Sequence, residues 1–83
     1  MPIIATFAGI VIRMYFLESE HNPPHIHCEY GELGAAIDIR TLQILDGFLP
    51  TKEHRLVAEW MQIHQEELLD IWDTQVFRKL PPL

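Results

Sequence analysis

The stretch from His25 to Arg40, "HIHCEYGELGAAIDIR", decides the fold because it contains two alternating segments joined by glycines. Successive side chains of a β-strand point to opposite faces of a sheet. The first segment therefore presents two sets of side chains on opposite faces: Ile26, Cys28 and Tyr30 against His25, His27 and Glu29. The connecting "GELG" is a turn signal, because glycine readily adopts positive φ. The stretch predicts a β-hairpin with one apolar face and one polar face.

The register of this hairpin determines which polar side chains meet. A two-residue or a four-residue loop, centred on "GELG", gives the same alignment. On the apolar face it pairs Tyr30 with Ala35, Cys28 with Ile37 and Ile26 with Ile39. On the polar face it pairs His27 with Asp38 and His25 with Arg40. A shift of one residue would separate the histidines from Asp38, since it exchanges the two faces of a strand. The pattern therefore places two imidazoles and a carboxylate on one face.

Upstream of the hairpin, two further strands are predicted at residues 3–7 and 10–17, separated by Gly9. The second of them, "IVIRMYFL", is apolar on both faces apart from Arg13. This composition is typical of a central strand, or of a strand whose second face contacts a partner. The following "ESEHNPP" predicts a loop, because its two prolines cannot donate to a β-ladder.

The second half of the chain changes from strand to helix periodicity. From Lys52 the apolar residues recur at intervals of three and four, and nothing interrupts this pattern before about Phe77. The sequence therefore predicts a single α+β domain over residues 1–83, with an antiparallel sheet of about four strands packed against one long C-terminal helix. The segment "LQILDG", residues 42–47, is a candidate for one additional strand.

Composition narrows the classes of function. The formal net charge is −6, and the six Lys and Arg residues form no patch, which argues against nucleic-acid binding. No apolar run is long enough to span a bilayer. Cys28 is the single cysteine, so an intrachain disulfide is excluded and a cytoplasmic location is predicted. At 83 residues the core is small, and self-association is one way to supply further stability.

The polar face of the hairpin and the preceding loop form the candidate ligand-binding site: His21, His25, His27, Glu29, Asp38 and Arg40. Four of these have the chemistry of ligands for a divalent metal such as zinc: His21, His25, His27 and Asp38. Alternatively, Asp38 orients His27 as a general base of a ribonuclease-like toxin. A third interpretation is purely structural, with ordinary cross-strand pairs. The chain has no phosphate-binding glycine loop, paired zinc-finger cysteines or triad signature, so we expect a binding protein rather than an enzyme.

Three segments resemble the bacterial family known as domain of unknown function 4160: "GIVIRMYF", "HNPPHIHCEYG" and "LPTKEHRLVAEWMQIHQEELLDIW". The matching positions fall in the hairpin region and on the helix: His21, Pro23, Pro24, His25, His27, Tyr30, Trp60, His64, Glu67, Leu68 and Trp72. The resemblance implies a small cytoplasmic protein, often encoded beside a second small protein, of family 2442, in a toxin–antitoxin-like pair. The partner that it implies is this nearby protein, and a homo-oligomer is the other expectation.

Overall fold

A computed structural model describes residues 2–15 and 23–83 and shows five antiparallel strands and two helices in that part of the chain. The strands follow one another across the sheet in chain order. The elements are β1 (Ile3–Phe7), β2 (Ile10–Arg13), β3 (His25–Tyr30), β4 (Leu33–Asp38), β5 (Ile44–Gly47), α1 (Thr51–Ile63) and α2 (Gln65–Thr74). The predicted α+β class is confirmed, but the sheet has five strands because "ILDG" pairs with β4.

The prediction of one long helix is wrong, because the helix breaks at His64. This residue has φ −107° and ψ 18°, outside the helical region, although no proline or glycine lies nearby. The next residue, Gln65, donates from its Nε2 to the backbone oxygens of Ile39 and Arg40, at 2.8 and 3.1 Å. These bonds fix the start of α2 at the end of β4. The break therefore accompanies a tertiary contact that helical periodicity does not reveal.

Both helices pack on one side of the sheet, here called the covered face. Its residues alternate along β2 and β3, whereas in β1 a register irregularity leaves the adjacent Ile4 and Ala5 both buried. The principal strand residues of this face are fully or almost fully buried: Ile4, Phe7, Ile10, Ile12, Ile26, Cys28 and Ile37. The helices contribute Val57, Trp60, Met61, Leu68 and Ile71 to the same core. Removing this apolar surface from water is the main stabilisation of the fold.

The hairpin of β3 and β4 has the predicted faces but not the predicted register. The turn consists of Gly31 and Glu32, so Tyr30 pairs with Leu33 rather than with Ala35. Gly31 has φ 59°, a left-handed conformation that glycine adopts at little cost. The strands are displaced by two residues from the predicted alignment. Since side chains alternate with a period of two, the displacement changes the cross-strand partners and keeps every side chain on its predicted face.

The side of the sheet opposite the helices is called the open face. Its strand positions include Val11, Arg13, His25, His27, Glu29, Ala36, Asp38 and Asp46. Most of these side chains are half-buried or exposed. The two helices pack on the covered face, and Trp72 of α2 reaches the margin of the open face at His25. No helix in the described ranges combines the length and apolar character needed to cross a membrane.

Candidate functional site

Four rings form a continuous row at the open face and its margin. The ring of Tyr15, just after β2, stacks on His27 with centroids 4.2 Å apart and planes 12° apart. His27 meets His25 edge to face at 5.0 Å, and His25 meets Trp72 of α2 at 5.1 Å. The alternation of β3 explains why the two imidazoles are neighbours, and α2 supplies the terminal indole. The row combines apolar ring faces with ring nitrogens.

A backbone hydrogen bond orients His25. Its Nδ1 lies 2.8 Å from the carbonyl oxygen of Pro23, and a carbonyl oxygen only accepts, so Nδ1 carries the proton. In the neutral ring this leaves the lone pair on Nε2. The extended segment before β3 thus fixes both the tautomer and the orientation of His25. The arrangement resembles the outer-sphere hydrogen bond that orients histidine ligands in metal sites.

His27 occupies a different electrostatic environment. Burial lowers the pKa of His27, and the neighbouring His25 lowers it further, while Glu29 acts in the opposite direction. The net direction is downward from 6.5, so the ring is predominantly neutral at neutral pH. A neutral ring is able to accept or donate a hydrogen bond and to stack on Tyr15 without carrying a charge.

Glu29 and Arg13 form an ion pair across β2 and β3. The Nε of Arg13 lies 3.1 Å from Oε1 of Glu29, and the side chains are 25% and 49% exposed. At this exposure water screens the attraction, so the pair contributes modestly to stability. The positive charge of Arg13 partly neutralises the carboxylate of Glu29 on the open face.

The predicted pair of His27 and Asp38 is absent, because the register places His27 opposite Ala36 and Asp38 opposite His25. Asp38 is buried, and its Oδ1 accepts hydrogen bonds from the backbone N–H groups of Arg40 and Thr41, at 2.7 and 3.0 Å. Its carboxylate therefore stabilises the turn after β4. The predicted cross-strand pairing of His27 with Asp38 is therefore wrong.

Two further residues of the predicted site are Arg40 and His21. Arg40 lies in the turn after β4 and is exposed, so the predicted pair with His25 is also wrong. His21 lies outside the described residues. Within residues 2–15 and 23–83, no three His, Cys, Asp or Glu side chains are grouped so that they could hold a metal ion. Of the predicted set, the structure brings together His25, His27 and Glu29 along β3, with Asp38 opposite His25 on β4.

Cys28 belongs to the covered face, as the alternation predicts. Burial raises the pKa of Cys28 to about 11, with an opposing effect from a backbone hydrogen bond with Ala35 and a further increase from Glu29. The Sγ of Cys28 lies 3.5 Å from the carbonyl oxygen of Ala35, to which it donates. The protonated, buried thiol acts as a small apolar side chain.

A cavity of about 200 Å³ opens on the open face beside the ring row. The residues that line it include Tyr15, His27, Glu29, Gly34, Ala36 and Asp46. Strand β5 approaches β4 closely here: a Cβ on Gly47, at φ 84°, would lie 2.1 Å from the carbonyl oxygen of Gly34. Small residues on β4 therefore leave a depression between the ring stack and β5.

The prediction from sequence did not include Tyr15, Ala36, Asp46 or Trp72 in the site. Alternation in the second strand placed Tyr15 on the same face as Arg13, so a signal for it was present in the sequence. Alternation in the fourth strand likewise placed Ala36 on the same face as Asp38. Asp46 carries no such signal, because the pairing of β5 with β4 determines its position. Trp72 reaches His25 only because α2 starts at the end of β4.

Comparison with known proteins gives a family and nothing more specific. The family model for "Domain of unknown function (DUF4160)" matches residues 9–73, which include the open face from β2 to β5 and most of both helices. No curated protein and no solved structure gives a significant match to the chain.

Proposed function

Since this chain belongs to the DUF4160 family, a domain of unknown function, we propose that it is a protein-interaction module that binds its partner through the open face. The observation that carries this proposal is the row of rings at the open face and its margin. Aromatic side chains are enriched in the central, buried parts of protein interfaces.

The charge of the protein indicates a basic partner. The chain carries a net charge of −6, and Glu29 and Asp46 both line the cavity on the open face. Two copies joined through this face would bring like charges together, which costs free energy. We therefore propose as partner the small neighbouring protein that the family resemblance implies, in a toxin–antitoxin-like pair in which the present chain is the accessory member. A cytoplasmic location of the complex is part of this proposal.

Co-expression with the protein of the neighbouring gene tests the proposal. We expect size-exclusion chromatography with light scattering to show a stable complex of the two chains. The substitution Ala36→Arg should weaken the complex at least tenfold, because it adds bulk and positive charge where the basic partner binds. Gln62→Arg, on the exposed side of α1, adds the same charge elsewhere and should leave the complex intact.

Two results would contradict the proposal. One is a strict monomer at high concentration even with the neighbouring protein present. The other is a complex that tolerates Ala36→Arg as well as it tolerates Gln62→Arg. A third outcome is a homodimer that forms without the neighbouring protein and is lost in Ala36→Arg. It would show that the open face binds a second copy of this chain instead of a basic partner.

Metal or small-ligand binding is a second candidate, favoured by the hydrogen bond that leaves the Nε2 lone pair of His25 available. His27 is the adjacent imidazole, with ring centroids 5.0 Å apart. A metal that binds the native state raises the melting temperature by mass action. Zinc should then stabilise the wild type and not His25→Gln. Unchanged melts with zinc, nickel and manganese, together with metal-free purified protein, would reject this candidate.

A further inference from the structure

The cavity on the open face has the size and lining of a site for one side chain. Its volume of about 200 Å³ is below the range of typical sites for drug-sized ligands, which is roughly 300–1,000 Å³. Gly34 and Ala36 contribute little side-chain bulk on β4. The stacked pair of Tyr15 and His27 lines one side, and Asp46 of β5 lines another.

The charges around this cavity favour a cation. Glu29 and Asp46 both line it, and Glu29 forms an ion pair with Arg13. The Asp46 carboxylate makes no hydrogen bond or ion pair with any described residue. Arg13 is the one Lys or Arg among the open-face strand positions defined above. A ligand that supplied a positive charge would therefore complement Asp46 without displacing the Arg13–Glu29 pair.

The ring stack is compatible with the same ligand. Because burial keeps His27 predominantly neutral at neutral pH, the stack adds no competing positive charge. Tyr15 is 36% exposed, so its aromatic surface is accessible at the cavity. Aromatic rings attract ammonium and guanidinium groups through their quadrupole. An arginine side chain combines a flat guanidinium with an apolar stem. The guanidinium complements the Asp46 carboxylate, and the stem complements the ring surfaces of Tyr15 and His27.

We propose that this cavity receives an arginine side chain of the protein partner, with the guanidinium at Asp46 and the stem along the Tyr15–His27 stack. This inference deepens the proposed function and rests on it for the source of the side chain. The chemistry of the cavity, a carboxylate beside an aromatic wall, would also bind a free organic cation. The experiment below therefore separates these two sources.

The first probe is arginine blocked at both ends, N-acetyl-arginine N-methylamide, titrated into the full chain and followed by ¹H–¹⁵N NMR. We expect saturable shifts at the amides of residues 34–36 and 46–47, with a millimolar dissociation constant that rises with salt. Equally blocked norleucine has a similar stem without the charge and should give no saturation. Putrescine is the probe for a free organic cation and should bind no more tightly than blocked arginine.

Asp46→Asn should weaken the binding of blocked arginine by about three- to tenfold. Asp73→Asn removes a carboxylate from the exposed side of α2 and should leave binding unchanged. Ala36→Leu should abolish binding by filling the cavity, and its melting curve verifies folding. Asp46 is exposed, so Asp46→Asn keeps the test informative if Ala36→Leu does not fold.

The inference is overturned if blocked arginine gives no saturable shifts, if norleucine binds equally well, or if Asp46→Asn has no effect. Binding of putrescine alone would reject a protein side chain as the occupant. Binding of blocked arginine without any complex with the neighbouring protein supports the cavity and rejects the proposed partner. A complex that is lost in Ala36→Arg while blocked arginine does not bind supports the interface and rejects the arginine site.

Discussion

The two faces of the sheet use the same strands for different purposes. On the covered face, Ile12, Ile26 and Ile37 are completely buried beneath the helices. On the open face, the neighbouring positions carry imidazoles, small residues and carboxylates that retain contact with solvent. Burial of apolar area stabilises the first face, whereas stacking, hydrogen bonds and charge determine the chemistry of the second. Substitutions on the covered face should therefore affect stability, and those on the open face should affect binding.

The largest effect is expected from Ile37→Ala on the covered face. Removing a fully buried isoleucine side chain down to alanine lowers the free energy of unfolding by about 2–5 kcal/mol. Val11→Ala on the open face should lower it by about 1 kcal/mol or less, because Val11 is only half-buried. Urea denaturation of both variants measures the contrast. Equal losses would show that the open face is packed as tightly as the covered face.

A smaller effect is expected from Asp38→Ala. The substitution leaves the N–H groups of Arg40 and Thr41 without their acceptor and should cost about 1–3 kcal/mol. Asp38→Asn keeps a side-chain oxygen and should recover most of the loss. Denaturation curves of the two variants compare them directly. A neutral Asp38→Ala would contradict the structural role of this carboxylate.

The ion pair of Arg13 and Glu29 should contribute less to the free energy of unfolding than the hydrogen bonds of Asp38 do. A double-mutant cycle of Arg13→Ala and Glu29→Ala should give a coupling energy of roughly 0.2–1 kcal/mol, because both side chains are partly exposed. The coupling should decrease in high salt. A coupling that is larger and independent of salt would indicate a desolvated open face.

The smallest effect is the dependence of the unfolding free energy on pH through His27. It is absent above the pH range in which histidine titrates. The folded-state pKa of His27 is lower than 6.5, so the unfolded chain binds more protons as the pH falls. Stability is therefore fully present above pH 6.5 and is lost as the pH falls through the folded pKa. His27→Gln should lose less stability than the wild type over that interval. Identical pH profiles of unfolding free energy for the two proteins would contradict the assigned environment of His27.

The strand alternation correctly predicted which side chains share a face, but the pairs across β3 and β4 required the turn. A turn at Gly31 and Glu32 instead of a loop centred between Glu32 and Leu33 displaces the partner strand by two residues. The faces survive this displacement, and the pair of His27 with Asp38 does not. Alternation cannot distinguish two registers that differ by two residues, because each side chain stays on the same face of the sheet in both.

Two residues of the site, Trp72 and Asp46, are brought to it by contacts between segments that are distant in the sequence. Trp72 contacts His25 because the helix breaks at His64 and α2 is bonded to the end of β4 through Gln65. Asp46 lines the cavity because β5 pairs with β4. Neither contact has a local sequence signal, since each joins residues separated by many positions in the chain.

By itself, the sequence determined the α+β class, the hairpin, and the side of the sheet on which the imidazoles at 25 and 27 lie, because local periodicity and turn residues encode these features. The tertiary structure alone decided the cross-strand partners, the break between the helices, and the cavity beside Tyr15 and His27. The physical reason is that alternation specifies a direction for each side chain, whereas a site requires distances between side chains, and only the packed chain fixes those distances.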